Sequence, residues 1–498
     1  MAIAGTESVD VAKESAQDDY ILSHREKQIM RRIDLRLVLG AALGYSVNLM
    51  DRGNVGMAAI AGVTDVRRML KDLDFVGYRY VCPVTPFKSQ APRVALMNRI
   101  KSLVVLMFFV TYVTFQPPST ILIRKIGPPK FLSVIIFSWG ILMLGMGFAK
   151  TWSQVLAIRI LLGVFAAGYF PGCMYLLSCW YLRYEVQKRF SVFYGVGCVA
   201  SALAGILAFG LIQMDGVQGI SGWRWIFIME GVITVGLGIL CYILIVDFPD
   251  KASRSWNFLT EEECAFVIRR IDRDRLDAEP EAFTLRRFLK PALDIKIWGF
   301  AVLFGCLTIN TYAMAYFLPL ILSDGMGFGV GASQCLSAPP WVFAVLVMFA
   351  TAWVGDTIQR RVPVLLFNVC LSLIGLPMMG FLKGNAARYV GVFLTVAGAN
   401  ANVPACMAWQ ANNIRGQWTR AFSSATLIAF DGIGGIIASL VFEKDAPRYR
   451  PGVYTALGAN IVFLLTVLSL ALWYRHCNKK ADRGELIIAG VAGFRYTI

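Results

Sequence analysis

The stretch Trp225-Ile-Phe-Ile-Met-Glu-Gly-Val-Ile-Thr-Val-Gly-Leu-Gly-Ile-Leu-Cys-Tyr-Ile-Leu-Ile-Val246 carries one charged side chain, Glu230, and gives way to a strongly polar segment from Asp247 to Asp294. An apolar run of roughly 20 residues is what an α-helix needs to cross the hydrocarbon core of a bilayer. Five comparable runs precede it, at Leu35–Asn54, Ser102–Ile123, Phe131–Ala149, Val155–Trp180 and Phe190–Met214. Six follow the polar segment, at Ile295–Leu322, Cys335–Val354, Val362–Leu382, Tyr389–Trp409, Ala421–Phe442 and Val453–Tyr474. The expected fold is all-α, a polytopic membrane protein with twelve transmembrane helices in two six-helix halves. Residues 33–246 and 295–474 form the halves, 247–294 the linker, and 1–32 and 475–498 the polar tails.

Composition agrees. Of the 498 residues 57% are hydrophobic and 16% charged, which is too apolar for a soluble domain. A net charge of +16 would suggest nucleic acid in a soluble protein. Here the basic residues sit in the short segments between apolar runs, so membrane topology explains them and no nucleic-acid partner is expected. The eleven cysteines are scattered singly with no metal-ligand spacing, which implies small packing residues and no metal site. No signal-peptide core precedes the first span.

Lysine and arginine give the direction, because they accumulate on the cytosolic side. Arg25, Lys27, Arg31 and Arg32 precede span one; Arg124, Lys125, Lys130, Arg183, Lys188, Arg189, Arg360, Arg361, Arg415 and Arg420 follow spans two, four, eight and ten. All fall on one side if both termini are cytosolic. Within the linker, Thr260 followed by Glu263 reads as a capping box opening a helix. One segment runs against the rule. The outer loop 64–101 carries Arg67, Arg68, Lys71, Arg79, Lys88, Arg93, Arg99 and Lys101, and its part Val81–Lys101 shows no apolar periodicity. Two short basic turns, Leu122-Ile-Arg-Lys-Ile-Gly-Pro after span two and Val354-Gly-Asp-Thr-Ile-Gln-Arg-Arg-Val-Pro after span eight, mark an internal repeat.

Met50-Asp51-Arg52-Gly53-Asn54 resembles the Asp-Arg-x-Asn signature of anion:cation symporters in the major facilitator superfamily. Phe115-Gln-Pro-Pro-Ser119, Phe170-Pro-Gly172 with Tyr175-Leu-Leu-Ser178, Gly222-Trp-Arg-Trp-Ile-Phe227 with Glu230-Gly231, Gln410-Ala-Asn-Asn-Ile-Arg-Gly-Gln-Trp418 and Gly493-Phe-Arg-Tyr496 resemble the fungal allantoate permease family. The wording is closest to high-affinity nicotinic acid transporters. The resemblance runs from about Ile33 to residue 498. It implies proton-driven import of an organic anion (allantoate, nicotinate or a vitamin carboxylate) across the plasma membrane. The chain departs from the family at Val81–Lys101, at Ala166, where many relatives carry glutamate, and at Asp431, where they usually carry glycine.

Ionisable residues inside spans are costly and therefore functional candidates. Asp51 and Arg52 near the outer end of span one, Arg159 early in span four and Glu230 early in span six fall at similar depth. Such charges can simply pair with one another. Alternatively, Arg159 or Arg52 binds a substrate carboxylate through two parallel hydrogen bonds. The two histidines, His24 and His476, lie outside the spans. Proton coupling then falls to buried carboxyl groups: Asp51, Glu230 and, in a glycine-rich stretch, Asp431. In the second half Asn310 and Tyr312, with Tyr316, line one stripe of span seven, while Asn400, Asn402, Trp409 and Gln410 occupy span ten. Asn310, Tyr312, Trp409 and Gln410 are candidates for contact with substrate, where a ring can stack on a pyridine. Pro319, Pro377 and Pro404 suggest broken or bent spans.

The expected partners are thus a small organic anion, protons and lipid, with a monomer as the working unit and no cofactor. A proton-coupled drug exporter is the nearest alternative, but Gly195-Val-Gly-Cys-Val-Ala-Ser-Ala-Leu-Ala-Gly205 in span five lacks the proline of the exporters' motif. A non-transporting nutrient sensor is the second. No nucleophile–base set or phosphate loop points to an enzyme.

Overall fold

The computed structural model describes residues 25–60, 91–182, 185–255, 258–275, 284–442, 450–488 and 493–498. Among them the chain is helical throughout, with twelve helices long and apolar enough to cross a membrane. Only helices satisfy every backbone N–H and C=O locally, so an apolar chain in lipid has little alternative. The spans are α1 (Leu39–Ile60), α2 (Ala91–Ile126), α3 (Pro128–Gly147), α4 with α5 (Trp152–Ala166 and Tyr169–Trp180), α6 (Val186–Ile212) and α7 (Gly222–Leu244). Two helices of the connecting segment follow, α8 (Glu261–Arg275) and α9 (Leu285–Leu289). The second set comprises α10 (Ile295–Leu320), α11 with α12 (Val330–Leu336 and Ala338–Ile358), α13 (Val362–Phe381), α14 (Asn385–Asn413), α15 (Gln417–Phe442) and α16 (Arg450–Asp482).

Local chemistry sets the ends. Pro128 opens α3 directly after Gly127, whose φ of 96° suits a residue without a side chain. Asp294 caps α10 by accepting from the Lys296 N–H at 3.1 Å. The capping box of α8 forms as expected, with Thr260 N–H donating to Glu263 (3.0 Å) and Glu263 N–H to Thr260 Oγ1 (3.3 Å).

Three features differ from the sequence reading. The apolar span falls at Leu106–Ile126, close to expectation, but its helix begins at Ala91, so residues 91–101 continue it despite their lack of apolar periodicity. Extending an existing helix avoids the nucleation cost, and Ala91, Arg93, Ala95, Leu96, Met97, Arg99 and Lys101 are all good helix formers. Span four is interrupted at 167–168, within a run that stays apolar and so gives no sign of it. Pro377 and Pro404 lie inside unbroken helices, whereas Pro319 is followed by a π-helical turn at Ile321–Gly325. Residues 1–24 and 61–90, with most of the basic outer loop, lie outside the described residues.

The helices pair α3 with α7, α13 with α14, α10 with α15 and α1 with α6, while α2–α15 and α6–α12 join the spans before the connecting segment to those after it. The outward faces carry Val134, Phe137, Ile141, Val232, Ile239, Leu346, Trp353, Leu465 and Leu472, an apolar shell suited to lipid.

At the end of the bundle that bears the connecting segment, several contacts cross between the two sets. Arg361 donates to Gln187 and, at 2.7 Å, to Asp356; Arg420 donates to the Ser178 carbonyl at 3.3 Å. Deeper in, Tyr194 donates to Asn400 Oδ1 at 2.9 Å and Gln116 to the Ile428 carbonyl at 3.1 Å. Arg270 of α8 bridges Glu26 (2.5 Å) and Glu185 (2.6 Å). Residues 494–498 fill a socket at this same end. The Thr497 carbonyl accepts from Trp409 Nε1 (2.9 Å) and Asn413 Nδ2 (3.1 Å), and Tyr496 stacks on Tyr474 at 4.4 Å.

Candidate functional site

Two close helix approaches fix where the buried charges stand. A Cβ on Gly163 would lie 2.1 Å from Thr111 Oγ1 and 2.4 Å from the Phe108 carbonyl oxygen, so only glycine lets α4 rest directly on α2. Thr111 Oγ1 also donates to the Ile160 carbonyl at 3.1 Å. Arg159 stands one turn away from that contact. On α7, a Cβ on Gly231 would lie 2.6 Å from the Leu144 backbone nitrogen of α3. The neighbouring Glu230 is buried in the bundle.

The structure brings Asp51, Arg159 and Glu230 into one cluster. Each is at most 6% exposed, and Arg159 interacts electrostatically with both carboxyl groups. The Asp51 and Glu230 carboxyls also face each other. Among the described residues, Arg159 Nε and Nη2 are buried without a hydrogen-bond acceptor. The three side chains offset one another's charge across the cluster, while several of their polar atoms keep hydrogen-bonding capacity to spare. The Arg52 side chain lies outside the described residues.

A second group of side chains comes from α10 and α15. Tyr316 interacts electrostatically with Arg159 and stacks on Tyr312 with ring centroids 6.0 Å apart. The Tyr312 hydroxyl donates to Asp431 Oδ2 at 2.8 Å, and its ring makes a T-shaped contact with Phe109 of α2, centroids 5.3 Å apart. Asp431 is held by the Tyr312 phenol, in a part of α15 that packs closely on α2 at Gly432 and Gly435. Sequence reasoning placed Tyr316 on the stripe without assigning it a role. Its spacing of four from Tyr312 was the available signal.

The remaining candidates lie elsewhere. Asn310 exchanges hydrogen bonds with Asn460 of α16 (3.1 and 3.5 Å), which locks two spans together. Trp409 is enclosed by Phe300, Tyr474 and the Thr497 carbonyl, at the end that bears the connecting segment. Gln410 donates to Ser423 Oγ (2.5 Å) and its carbonyl oxygen (3.0 Å). Toward the far end, a crevice lined by Leu49, Met50, Met314, Leu318 and Trp341 holds only about 20 Å³, room for about one water. Among the described residues, no group of three or more His, Cys, Asp or Glu side chains is placed to hold a metal ion.

The pattern of the Major Facilitator Superfamily matches residues 42–439, most of the chain. The protein belongs to the major facilitator superfamily. Similar facilitators include the MFS-type transporter cnsO of Penicillium expansum, 28% identical, the alignment covering 93% of this chain and 86% of that one. The high-affinity nicotinic acid transporter of Saccharomyces cerevisiae is 27% identical, covering 91% of this chain and 79% of its own. Among solved facilitator structures, the proton:xylose symporter XylE superposes with a TM-score of 0.67 at 13% identity, covering 90% of this chain and 96% of that one. The human organic anion transporter MFSD10 gives 0.59 at 12% identity, covering 88% and 99%. At those identities the likeness concerns the fold. The chain is a fungal-type facilitator, a transporter of small molecules and not an enzyme.

Proposed function

We propose that this facilitator imports a small organic carboxylate together with protons across the plasma membrane, by alternating access. The observation that carries the reading is one guanidinium, Arg159, buried against two carboxyl groups, Asp51 and Glu230. Arg159 is neutralised by one carboxylate; the second carboxyl is best accommodated in lipid with a proton on it. An incoming carboxylate competes for the same guanidinium through paired N–H···O bonds. The displaced carboxylate then loses its counter-charge and takes up a proton from the side to which the site is open. One anion thus enters with one proton, and the cluster keeps its charge. Likeness to a nicotinic acid transporter supports nicotinate as the first cargo to test. The concentration of Lys and Arg at the end that bears the connecting segment supports placing that end, and both termini, in the cytosol. We take the monomer as the working unit, since the cluster is drawn from a single chain.

The test is uptake of labelled nicotinate and related small carboxylates by cells expressing the protein, with and without a protonophore. Accumulation that collapses with the protonophore is the expected result. Accumulation indifferent to it overturns proton coupling, and no uptake of any carboxylate overturns the cargo class.

A further inference from the structure

At the end that bears the connecting segment, the flank of the first half carries a recess of about 650 Å³, well away from the charged cluster. It lies where the turn leading into α1, the start of α3, the end of α7 and the chain following α7 meet, at the level where these spans leave the bilayer. Its lining carries three cationic side chains, Arg36, Lys130 and Lys251, and one carboxyl group, Asp247. Arg36 is held in place: its Nη2 donates to the Ile243 carbonyl at 2.8 Å, and its guanidinium lies over the Phe258 ring, 5.3 Å from the centroid. Lys130, in the first turn of α3, is exposed and among the described residues has no ion-pair partner. Asp247 is already engaged. Its Oδ1 accepts from the Phe248 N–H at 2.8 Å, and Lys251 and Arg124 supply positive charge near it. The neighbouring Asp250 pairs with Arg124 at 3.4 Å.

The rim of the recess is apolar. Ile126, Tyr242 and Ile243 are each about half exposed, and on α7 the last two continue the stripe of Ile239 on the lipid-facing side. Cations beside a lipid-facing apolar rim match an amphiphile with a negative head. A guanidinium meets phosphate oxygens with directed N–H bonds and an ammonium adds a point charge. A soluble anion would gain nothing from the rim. We propose that this recess binds an anionic phospholipid, with Arg36 and Lys130 on its phosphate and Ile126, Tyr242 and Ile243 against its acyl chains. Basic pockets between spans at the membrane surface suit such heads. A lipid held there ties the connecting segment to α1, α3 and α7, and so stabilises the first half without touching the charged cluster.

The test uses the full-length protein in detergent, titrated with phosphatidylinositol, with phosphatidylcholine of the same chains, and with glycerophosphoinositol, the head group without chains. Native mass spectrometry counts the bound lipid, and thermal unfolding reads the stabilisation. Phosphatidylinositol is expected to bind at least about tenfold more tightly than phosphatidylcholine and to raise the unfolding temperature. Lys130→Ala should weaken phosphatidylinositol binding about fivefold, the scale of one cation at an anionic membrane surface. Lys383→Ala, which removes an exposed lysine at the opposite end of the bundle, should leave binding unchanged. Equal binding of the two lipids, undiminished affinity in Lys130→Ala, or an equal loss in Lys383→Ala overturns the proposal. Glycerophosphoinositol that displaces the lipid at matching concentration overturns the lipid assignment in favour of a soluble anion.

Discussion

The guanidinium of Arg361 donates to the side-chain oxygen of Gln187, tying the turn between α12 and α13 to the start of α6. Asp356 takes a second bond from the same nitrogen at 2.7 Å, and both charged side chains are essentially sealed from solvent. Arg361→Ala removes the nearer positive charge on Asp356, leaving only Lys188, and is expected to cost about 3 kcal/mol, the low end for breaking a buried pair. A detergent-solubilised variant should unfold at a clearly lower temperature. Gln187→Ala removes a neutral partner, with an expected cost of about 1–2 kcal/mol. A wild-type unfolding temperature in Arg361→Ala would show that the contact carries no weight.

At the charged cluster, Asp51→Asn combined with Glu230→Gln keeps the side-chain shapes but leaves no carboxyl able to exchange a proton. The expected phenotype is facilitated entry without accumulation: uptake that equilibrates and no longer responds to external acid or to a protonophore. Retained acid-driven accumulation in the double variant would remove this carboxyl pair from coupling. Arg159→Ala should abolish uptake, and Arg159→Lys should recover only part of it, because an ammonium cannot make the paired bonds of a guanidinium.

Close approach of α4 to α2 predicts a positional effect. Gly163→Ala introduces a Cβ where Thr111 Oγ1 already stands and should cost about 1–3 kcal/mol through overpacking. Arg159 is carried on the same helix, so carboxylate uptake should fall through a raised KM even at a temperature where the protein stays folded. Thr111→Ser in the same background relieves little, because the hydroxyl remains, whereas Thr111→Ala should restore part of the loss.

Trp409 separates structure from cargo. Its indole donates to the Thr497 carbonyl and packs on Phe300 and Tyr474. Trp409→Phe loses one hydrogen bond, about 1 kcal/mol, and should lower the unfolding temperature slightly with the KM for carboxylate unchanged. A raised KM at full stability would return Trp409 to the substrate site.

What was legible in the sequence follows from the range of each interaction. The spans are visible because hydrocarbon thickness imposes length and composition on contiguous residues. Asp51, Arg159 and Glu230 stand out because an ionisable side chain in such a run is conspicuous whatever surrounds it. The Thr260–Glu263 box spans three residues and is read directly. Asn310 with Asn460, Trp409 with Thr497 and Tyr312 with Asp431 are partners separated by many residues, and their pairing depends on how each helix is rotated against its neighbours. Hydrophobic periodicity is weak in spans that face lipid and protein at once, so that rotation is poorly encoded locally. The interruption at 167–168 is hidden for a related reason: Ala166-Ala-Gly-Tyr-Phe170 is apolar throughout.

The division of these two groups between the halves of the chain has a consequence for change. Asp51, Arg159 and Glu230 come from helices before the connecting segment, and Tyr312, Tyr316 and Asp431 from helices after it. On the proposed reading, cargo preference can be rewritten by substitutions on α10 and α15 while the carboxyl pair proposed to carry the proton, on α1 and α7, stays as it is. A laboratory selection for growth on a new acid should collect its first mutations on those two helices.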